Sequence, residues 1–217
     1  TAQRHHSRFT RWLMRQMDGV ISTCSAAASY LQTPPDIVVP HGINTSLYHP
    51  PSSKADAWKA LGFPGAYGIG VFGRVRHSKG IDIFIEACLN VLPEHPDATV
   101  IVCGECVPAD VNYQQQLFDK IKAAKLSERI IFIGKQPFEQ LPKLFSGMSI
   151  VAALSREEGF GLTPLEAMAS GAAVLTSHAG AWPDIVIEGT NGYLTETGNI
   201  DDVTSKLKLL MSDLADP

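Results

Sequence analysis

The stretch Gly68-Ile69-Gly70-Val71-Phe72-Gly73-Arg74-Val75-Arg76-His77-Ser78-Lys79-Gly80 places an apolar strand pattern next to a basic loop that glycines bound. A helical pattern follows this loop, and four more pairs of an apolar run and a helical pattern come after it. Such alternation is typical of a parallel sheet whose strands are joined by crossover helices. We predict strands over residues 68–72, 98–103, 130–133, 149–153 and 172–176. We predict helices over residues 82–92, 112–125, 138–147, 163–170 and 201–214.

This pattern predicts the fold class α/β, with a doubly wound parallel sheet of the Rossmann-like type. Ligands of such sheets bind beyond the carboxyl ends of the strands. The turns after the five predicted strands are therefore expected to line one crevice.

The first part of the chain has a different pattern. Residues 7–17 look helical, residues 19–22 and 37–39 look like short strands, and five prolines fall within residues 34–51. The chain starts at Thr1 without a methionine, and its basic beginning lacks an apolar signal core. We interpret residues 1–45 as a remnant of another domain with a linker, and residues 46–217 as the main α/β domain.

Composition narrows the class of protein. A chain of 217 residues with 45% hydrophobic content can bury a sizeable core. The net charge of -4 argues against nucleic-acid binding, which needs a basic face. No apolar run is long enough to span a membrane, so any membrane contact would be peripheral. Four scattered cysteines do not form a secreted disulfide framework, and this favours a cytoplasmic location. Any peripheral contact would then be at the inner face of the membrane.

A glycine-rich turn opens the fourth predicted helix in the run Glu158-Gly159-Phe160-Gly161-Leu162-Thr163-Pro164-Leu165-Glu166. We read Thr163 as the N-cap and Pro164 as the first helical residue. The free N–H groups and the positive dipole end of such a helix suit a diphosphate. Glu166, one turn into the helix, could accept hydrogen bonds from ribose hydroxyls, and Glu158 on the loop would face a sugar. The alternative is a capping box, in which Glu166 bonds back to the N-cap N–H.

The loop after the first strand of the predicted sheet carries two cations five residues apart. Arg74 offers a planar fork and Lys79 a movable point charge, and both could reach one diphosphate. The alternative is an ordinary solvated basic turn. The chain has no Asp-x-Asp motif for a divalent metal, so these cations and a helix N-terminus are expected to replace the metal.

Two other motifs point to different chemistry. Gly68-x-Gly70-x-x-Gly73 matches the dinucleotide fingerprint of oxidoreductases, but a long loop stands where the pyrophosphate-binding helix would begin. Cys103-x-x-Cys106 has redox or zinc spacing but no second pair to complete a tetrahedron. The alternative for the cysteines is a plain turn at a strand end.

Gly-Arg-x-x-x-x-Lys-Gly at residues 73–80, followed by Glu-(seven residues)-Glu at residues 158–166, resembles the retaining glycosyltransferases of family four, also called group 1. The similarity extends over about residues 19–214 and includes Val39-Pro40-His41-Gly42-Ile43-Asn44. The resemblance implies a two-domain glycosyltransferase B fold, in which two Rossmann-like halves face each other and the C-terminal half holds the donor nucleotide. Residues 46–217 would be that nucleotide-sugar-binding half.

The resemblance also implies roles for single residues. Arg74 and Lys79 would bind the donor diphosphate, Glu166 the ribose and Glu158 the transferred sugar. The candidate catalytic residues are Arg74, Lys79 and Glu158. The other candidate donor-binding residues are Gly73, Gly134, Lys135, Gly159, Phe160, Gly161, Leu162 and Glu166, of which Gly134 and Lys135 would meet the base. The sequence departs from the family pattern at His41, Cys106 and Asp184.

The resemblance implies a retaining hexosyltransferase, and the absence of an Asp-x-Asp motif predicts that it needs no metal or other cofactor beyond its nucleotide-sugar donor. The basic start, residues 1–6, and the segment Pro40-His41-Gly42-Ile43-Asn44 resemble the lipopolysaccharide-core mannosyltransferase branch. This resemblance implies GDP-mannose as donor and a glycan or glycolipid acceptor such as lipopolysaccharide core. UDP-glucose is the rival donor. The acceptor would bind through an N-terminal domain, so the chain alone is expected to bind donor without transferring sugar. A dinucleotide-dependent oxidoreductase and a non-catalytic nucleotide-binding module are the alternatives.

Overall fold

The computed structural model describes residues 8–31 and 33–215, and the basic start at residues 1–6 lies outside the described residues. Eight strands are defined there: β1 Ile21–Ser22, β2 Ile37–Val38, β3 Tyr67–Phe72, β4 Ala98–Cys103, β5 Ile130–Gly134, β6 Met148–Ala153, β7 Ala173–Ser177 and β8 Gly192–Thr195. Nine α-helices are defined: α1 Arg8–Met14, α2 Ser25–Ser29, α3 Lys54–Lys59, α4 Ile81–Val91, α5 Val111–Ala123, α6 Leu141–Gly147, α7 Thr163–Ala169, α8 Trp182–Ile185 and α9 Ile200–Ala215.

Strands β3 to β8 form one six-stranded sheet in the order β5-β4-β3-β6-β7-β8. Every pairing in it is parallel. β3, which comes first along the chain in this sheet, therefore lies between β4 and β6. The chain adds β4 and β5 on one side of β3, and then β6, β7 and β8 on the other. The doubly wound Rossmann-like prediction is confirmed. Its topological switch point, where such sheets bind ligands, lies between the carboxyl ends of β3 and β6.

The five predicted strands agree with the structure to within one residue at either end. The sixth strand, β8, and the short helices α2, α3 and α8 were not predicted. The helix predicted over residues 138–147 starts as a 3-10 turn, Phe138–Gln140, and becomes α-helical only at Leu141.

Two apolar layers cover the sheet because successive side chains of a strand point to opposite faces. Ile69 and Val71 of β3 pack into a core with residues of α4, α5 and α9. On the other face, Trp58 of α3 and Phe145 of α6 form a second core. Parallel sheets need both faces covered, and these two layers meet that need.

Lys54 joins two helices of the second layer. Its Nζ donates to the carbonyl of Ser146 at 3.0 Å and to that of Ser170 at 2.7 Å. These carbonyls lie at the ends of α6 and α7, where helices lack internal donors. Burial lowers the pKa of Lys54 to about 8.

The first part of the chain forms a separate, two-stranded parallel sheet, β1-β2. Several large apolar side chains are exposed there, including Phe9, Trp12, Ile21 and Ile37. The domain boundary between residues 45 and 46 stays a prediction. Over the described residues, none of the helices combines the length and apolar character needed to cross a membrane.

Candidate functional site

The loop that follows β3 is pressed against the end of β6. After a 3-10 turn, His77–Lys79, the chain passes through Gly80 in the left-handed region with φ 66° and enters α4. A Cβ on Gly80 would collide with the carbonyl of Leu154, so both the φ angle and the lack of space require glycine. This contact brings Lys79 beside the loop that follows β6.

Lys79 and Glu158 form an ion pair at the switch point, with 2.6 Å between Nζ and Oε2. The same Oε2 also accepts from the Ser155 hydroxyl at 3.3 Å, and Oε1 accepts from the Gly159 N–H at 3.1 Å. The side chains are 24% and 18% exposed, so the pair is partly shielded from water. Together with Phe72, Thr163 and Trp182 it lines a small cleft. The structure therefore joins two of the three predicted catalytic residues directly.

Arg156 holds the two loops together, and sequence reasoning did not identify it. Its guanidinium forms a bidentate pair with Asp82 at the start of α4, at 2.8 and 2.7 Å. Its backbone N–H donates to the carbonyl of Ser78 at 2.8 Å. The Tyr113 hydroxyl donates to the same Asp82 carboxylate at 2.9 Å. These contacts fix the position of Lys79 relative to Glu158.

The charge network around Asp82 shifts its ionisation. Burial acts to raise the pKa of this carboxyl, but the hydrogen bonds from Arg156 and Tyr113 outweigh burial and lower it. The pKa of Arg156 is raised, chiefly by its hydrogen bonds to Asp82. Both groups are therefore charged at neutral pH. A signal was available in the sequence, since Asp82 and Arg156 each lie within three residues of a predicted site residue.

Arg74 differs from Lys79 because its guanidinium is exposed. It has no hydrogen-bond or ion-pair partner within residues 8–31 and 33–215. Gly73, just before it, donates its N–H to the carbonyl of Cys103 at 2.9 Å and has φ 147°. Arg74 thus lies on the same loop as Lys79 with its donors available.

The glycine-rich turn before α7 is shaped by Trp182. The indole Nε1 donates to the carbonyl of Gly161 at 3.1 Å, and a Cβ on Gly161, where φ is 82°, would strike the ring. The Phe160 side chain is buried against Cys24 and Ala181. Phe160 therefore contributes its ring to packing, and a donor could meet only its backbone. Leu162 is 39% exposed, and Gly159 is exposed as well.

Helix α7 begins one residue earlier than the capping interpretation requires. Leu162 is the N-cap and makes no side-chain capping bond, and Thr163 and Pro164 are already in the first turn. The assignment of Thr163 as N-cap is therefore wrong, and with it the capping box around Glu166. The shift has a local cause, because Pro164 is compatible with either of the first two helical positions and does not fix the start of the helix.

Glu166 lies instead beside the buried hydroxyl of Tyr48. Burial raises the pKa of the Glu166 carboxyl, and the Tyr48 hydroxyl offsets part of that effect. Burial and the Glu166 charge together raise the pKa of Tyr48. Within the described ranges, the Tyr48 hydroxyl has no partner in ideal hydrogen-bond geometry. The carboxylate of Glu166 is thus free of a backbone cap and retains lone pairs for another donor.

Gly134 and Lys135 lie at the end of the edge strand β5, two strands from β3. Both are exposed, and the carbonyl of Gly134 accepts from the Gly104 N–H at 3.0 Å. A cavity of about 220 Å³ reaches Ile133, the preceding residue, and lies between α6 and the turn that carries Leu61 and Phe63. All the predicted site residues therefore lie along the carboxyl edge of one sheet.

The motifs that suggested other chemistry have structural explanations. Gly68 lies inside β3, and its missing side chain makes room for the ring of Trp58. The helix α4 starts only at Ile81, after the long loop, which does not fit the dinucleotide fingerprint. Burial raises the pKa of the Cys103 thiol to about 11, so it is protonated at neutral pH.

Two departures from the family pattern connect the first part of the chain to the rest of the fold, Asp184 from within α8 and His41 by contact with the turn before α7. The Asp184 carboxylate accepts from the Ser25 N–H at 2.9 Å. The His41 ring meets the ring of Phe160 edge to face, with 4.8 Å between the centroids. The Cys24 thiol also donates to the carbonyl of Gly159 at 3.5 Å.

Comparisons with known proteins identify relatives of the whole chain. The mannosyltransferase of lipopolysaccharide core biosynthesis LpcC from Rhizobium leguminosarum bv. viciae is 39% identical over 214 residues, covering 99% of this chain and 60% of the relative. LpsB of Rhizobium meliloti (strain 1021), which carries the same description, is 38% identical over 200 residues, covering 92% of this chain and 55% of the relative. The chain therefore spans less than two thirds of the length of these relatives.

Solved structures share the fold. The C-terminal domain of the glycosyl transferase group 1 family protein LpcC from Francisella tularensis has a TM-score of 0.77 and 41% identity, covering 80% of this chain and 90% of that one. Anabaena Alr3699/HepE in complex with UDP-glucose has a TM-score of 0.82 at 24% identity, covering 98% of this chain and 60% of that one. The fold is that of the C-terminal domain of glycosyltransferase B enzymes.

The family described as "Glycosyl transferases group 1" matches residues 53–216, which contain every predicted donor-binding position. The chain belongs to the group 1 glycosyl transferases.

Proposed function

We propose that the chain is the donor-binding part of an enzyme that transfers a hexose from a nucleotide sugar with retention of configuration and without a metal. The observation that carries this proposal is the ion pair of Lys79 and Glu158 at the switch point of the sheet, with Arg74 exposed on the same loop as Lys79. Two cations on one loop suit a diphosphate, and the adjoining carboxylate suits sugar hydroxyls.

The mechanism follows from where charge develops. As the bond between sugar and diphosphate breaks, negative charge grows on the diphosphate, and Arg74 and Lys79 stabilise it. The acceptor hydroxyl attacks from the same face of the sugar and passes its proton to the departing diphosphate. No protein nucleophile is needed, and the chief task of the protein is to hold the leaving group and the sugar in place.

The remaining donor contacts follow the carboxyl edge of the sheet. Glu166 would accept from the ribose hydroxyls, because its carboxylate is not used in a helix cap. Backbone groups of Gly159, Phe160, Gly161 and Leu162 would meet the diphosphate and sugar. Gly73 would line the diphosphate site, and Gly134 and Lys135 would meet the base.

The proposed donor and acceptor are based on the descriptions of the relatives. Because two relatives are described as lipopolysaccharide core mannosyltransferases, we propose GDP-mannose as donor and a glycan or glycolipid such as lipopolysaccharide core as acceptor. The rival donor is UDP-glucose, with which Anabaena Alr3699/HepE was solved. The acceptor would bind to a further domain, and residues 1–45 would lead into it. Peripheral contact at the inner face of the membrane would bring the enzyme to a lipid-linked acceptor.

A thermal-shift panel tests the proposal. GDP, UDP, ADP, their sugar derivatives and NAD are added to the chain with and without EDTA. A ligand at a hundred times its dissociation constant stabilises by about 2.7 kcal/mol, which raises the melting temperature by a few degrees. We expect GDP and GDP-mannose to stabilise the chain equally well in both buffers. Stabilisation that EDTA abolishes would contradict metal independence, and stabilisation by NAD alone would favour the oxidoreductase.

A further inference from the structure

The ion pair between Lys79 and Glu158 joins two groups that the proposed function assigns to different parts of the donor. Lys79 would bind the diphosphate, and Glu158 would bind the sugar. In the structure, however, they bind each other at 2.6 Å, and both side chains are largely shielded from water. Donor and ion pair therefore compete for the same two side chains.

We infer that Glu158 is a specificity-determining residue that makes the site favour a nucleotide sugar over the free nucleoside diphosphate, because only the sugar can replace Lys79 as its partner. This inference rests on the proposed function. It concerns the ratio of two affinities, which the proposed function by itself does not determine.

The argument compares two ligands at the same site. A free nucleoside diphosphate draws Lys79 away and brings its own negative charge close to Glu158. The carboxylate then keeps only the Ser155 hydroxyl and the Gly159 N–H as donors, and it repels the diphosphate. A nucleotide sugar draws Lys79 away in the same manner, but its hydroxyls donate to Glu158 and restore the lost hydrogen bonds. A partly buried carboxylate that loses a charged partner without replacement is unfavourable, so the free diphosphate binds less tightly.

The same exchange favours product release. Once the sugar has been transferred, its hydroxyls no longer hold Glu158, and the carboxylate attracts Lys79 again. The nucleoside diphosphate that remains then competes with Glu158 for the cation. Donor binding and product release thus depend on one carboxylate with two alternative partners.

The chain offers a matched control in the adjacent residue. Glu157 is exposed, and in the part of the chain that the structure describes its carboxylate has no hydrogen-bond or ion-pair partner. Glu157→Gln and Glu158→Gln remove the same charge from the same loop, but only the second removes the partner of Lys79. Any general effect of loop charge on an anionic ligand appears in both variants.

The experiment is isothermal titration of the wild-type chain and both variants with GDP, GDP-mannose, UDP and UDP-glucose. We expect Glu158→Gln to bind the nucleoside diphosphate at least about fivefold more tightly than wild type, the lower end of typical coupling between ligands. The affinity for the nucleotide sugar is not expected to rise with it, so the preference for donor over diphosphate falls. Glu157→Gln is expected to leave that preference unchanged. Circular dichroism establishes folding, and Glu158→Asp, with a shorter reach to Lys79, is expected to change the ratio in the same direction.

The outcomes separate the two proposals. If wild type binds these ligands but the Glu158 variants leave the affinity for the diphosphate unchanged or lower it, the exchange is overturned while the proposed function stands. An equal gain in Glu157→Gln overturns the exchange as well, because it assigns the effect to loop charge. If wild type binds none of the four ligands, the proposed function fails and the exchange fails with it.

Discussion

Arg74 and Arg76 are exposed arginines two residues apart on the loop after β3, and they allow a matched test of the diphosphate site. Arg74→Ala is expected to reduce turnover of the complete enzyme by about a hundred- to a thousandfold, because it removes a donor from the departing diphosphate. Arg74→Lys is expected to recover little of this loss, since an ammonium cannot reproduce two parallel hydrogen bonds. Arg76→Ala, which removes an equal charge, is expected to stay near wild type.

Initial rates with saturating donor and acceptor measure this prediction, and melting temperatures establish that the variants are folded. Because the Arg74 guanidinium is exposed and has no partner in the described part of the chain, its removal is expected to leave stability unchanged. Equal losses at Arg74 and Arg76 would mean that the loop acts only through its net charge.

For single residues, residue type and spacing were enough to predict which positions form the site. They could not predict which side chains contact each other. The two cations of the loop after β3 and the two glutamates around the turn before α7 could be identified in the sequence, because each lies close to the glycines of a turn. The N-cap assignment of Thr163 failed because one residue of shift at a helix start is within the range that Pro164 permits. The Lys79–Glu158 contact spans 79 positions of the chain. It depends on the packing of the two loops, through Gly80 on Leu154 and through the contacts of Arg156.

Between elements, the pair of Arg156 and Asp82 ties the loop after β6 to the start of α4. Asp82→Asn is expected to reduce the free energy of unfolding at pH 7 by about 1.5 to 3 kcal/mol, the usual range for hydrogen bonds to charged groups. Because the folded pKa of Asp82 lies below that of the unfolded chain, the contribution is complete above about pH 4, the ordinary aspartate pKa. It is lost as the pH falls through the lower, folded value.

Urea unfolding of wild type and Asp82→Asn between pH 7 and pH 3 measures this difference. We expect the gap between the two unfolding free energies to be constant down to about pH 4 and to narrow below it. Asp97→Asn is the control, since this carboxylate is exposed and makes no hydrogen bond or ion pair within residues 8–31 and 33–215. A gap that widens as the pH falls would contradict the assigned direction of the Asp82 shift.

Elements with long apolar runs were predicted well, and short ones were not. Strands β3, β4, β6 and β7 are largely buried on both faces, and the edge strand β5 is half-buried. Their sequences are therefore continuous apolar runs that stand out from the loops. β8 has four residues, and α8 has four, which is too short for a periodic pattern. Helix α3 has six residues, and its stability depends on tertiary contacts such as the burial of Trp58 against β3.

For the whole molecule, the alternation of strands and helices predicted the class of fold, whereas the order of strands came only with the structure. A right-handed crossover can place each new strand on either side of the sheet. The observed order β5-β4-β3-β6-β7-β8 puts the loops after β3 and β6 side by side. The sequence alone could therefore place the cations and Glu158 at carboxyl ends of strands, but not next to each other.

The boundary between residues 45 and 46 can be tested by hydrogen exchange. The amides of β3 are flanked by β4 and β6 and buried under both helical layers. β1 and β2 are two-residue strands, and of their four side chains only that of Ser22 is buried. Local opening therefore releases β1 and β2 without unfolding the main sheet.

We expect the amides of β1 and β2 to exchange at least about a hundredfold faster than those of β3, which corresponds to about 2.7 kcal/mol less protection. The contacts of Cys24 with Gly159 and of Ser25 with Asp184 act in the opposite direction, because they tie this segment to the turn before α7 and to α8. Mass spectrometry of the exchanged amides, with and without the nucleotide, distinguishes local opening of β1 and β2 from protection by these contacts. Equal protection of β1 and β3 would mean that residues 21–45 are an integral part of the donor domain. The boundary would then have to move toward the N-terminus.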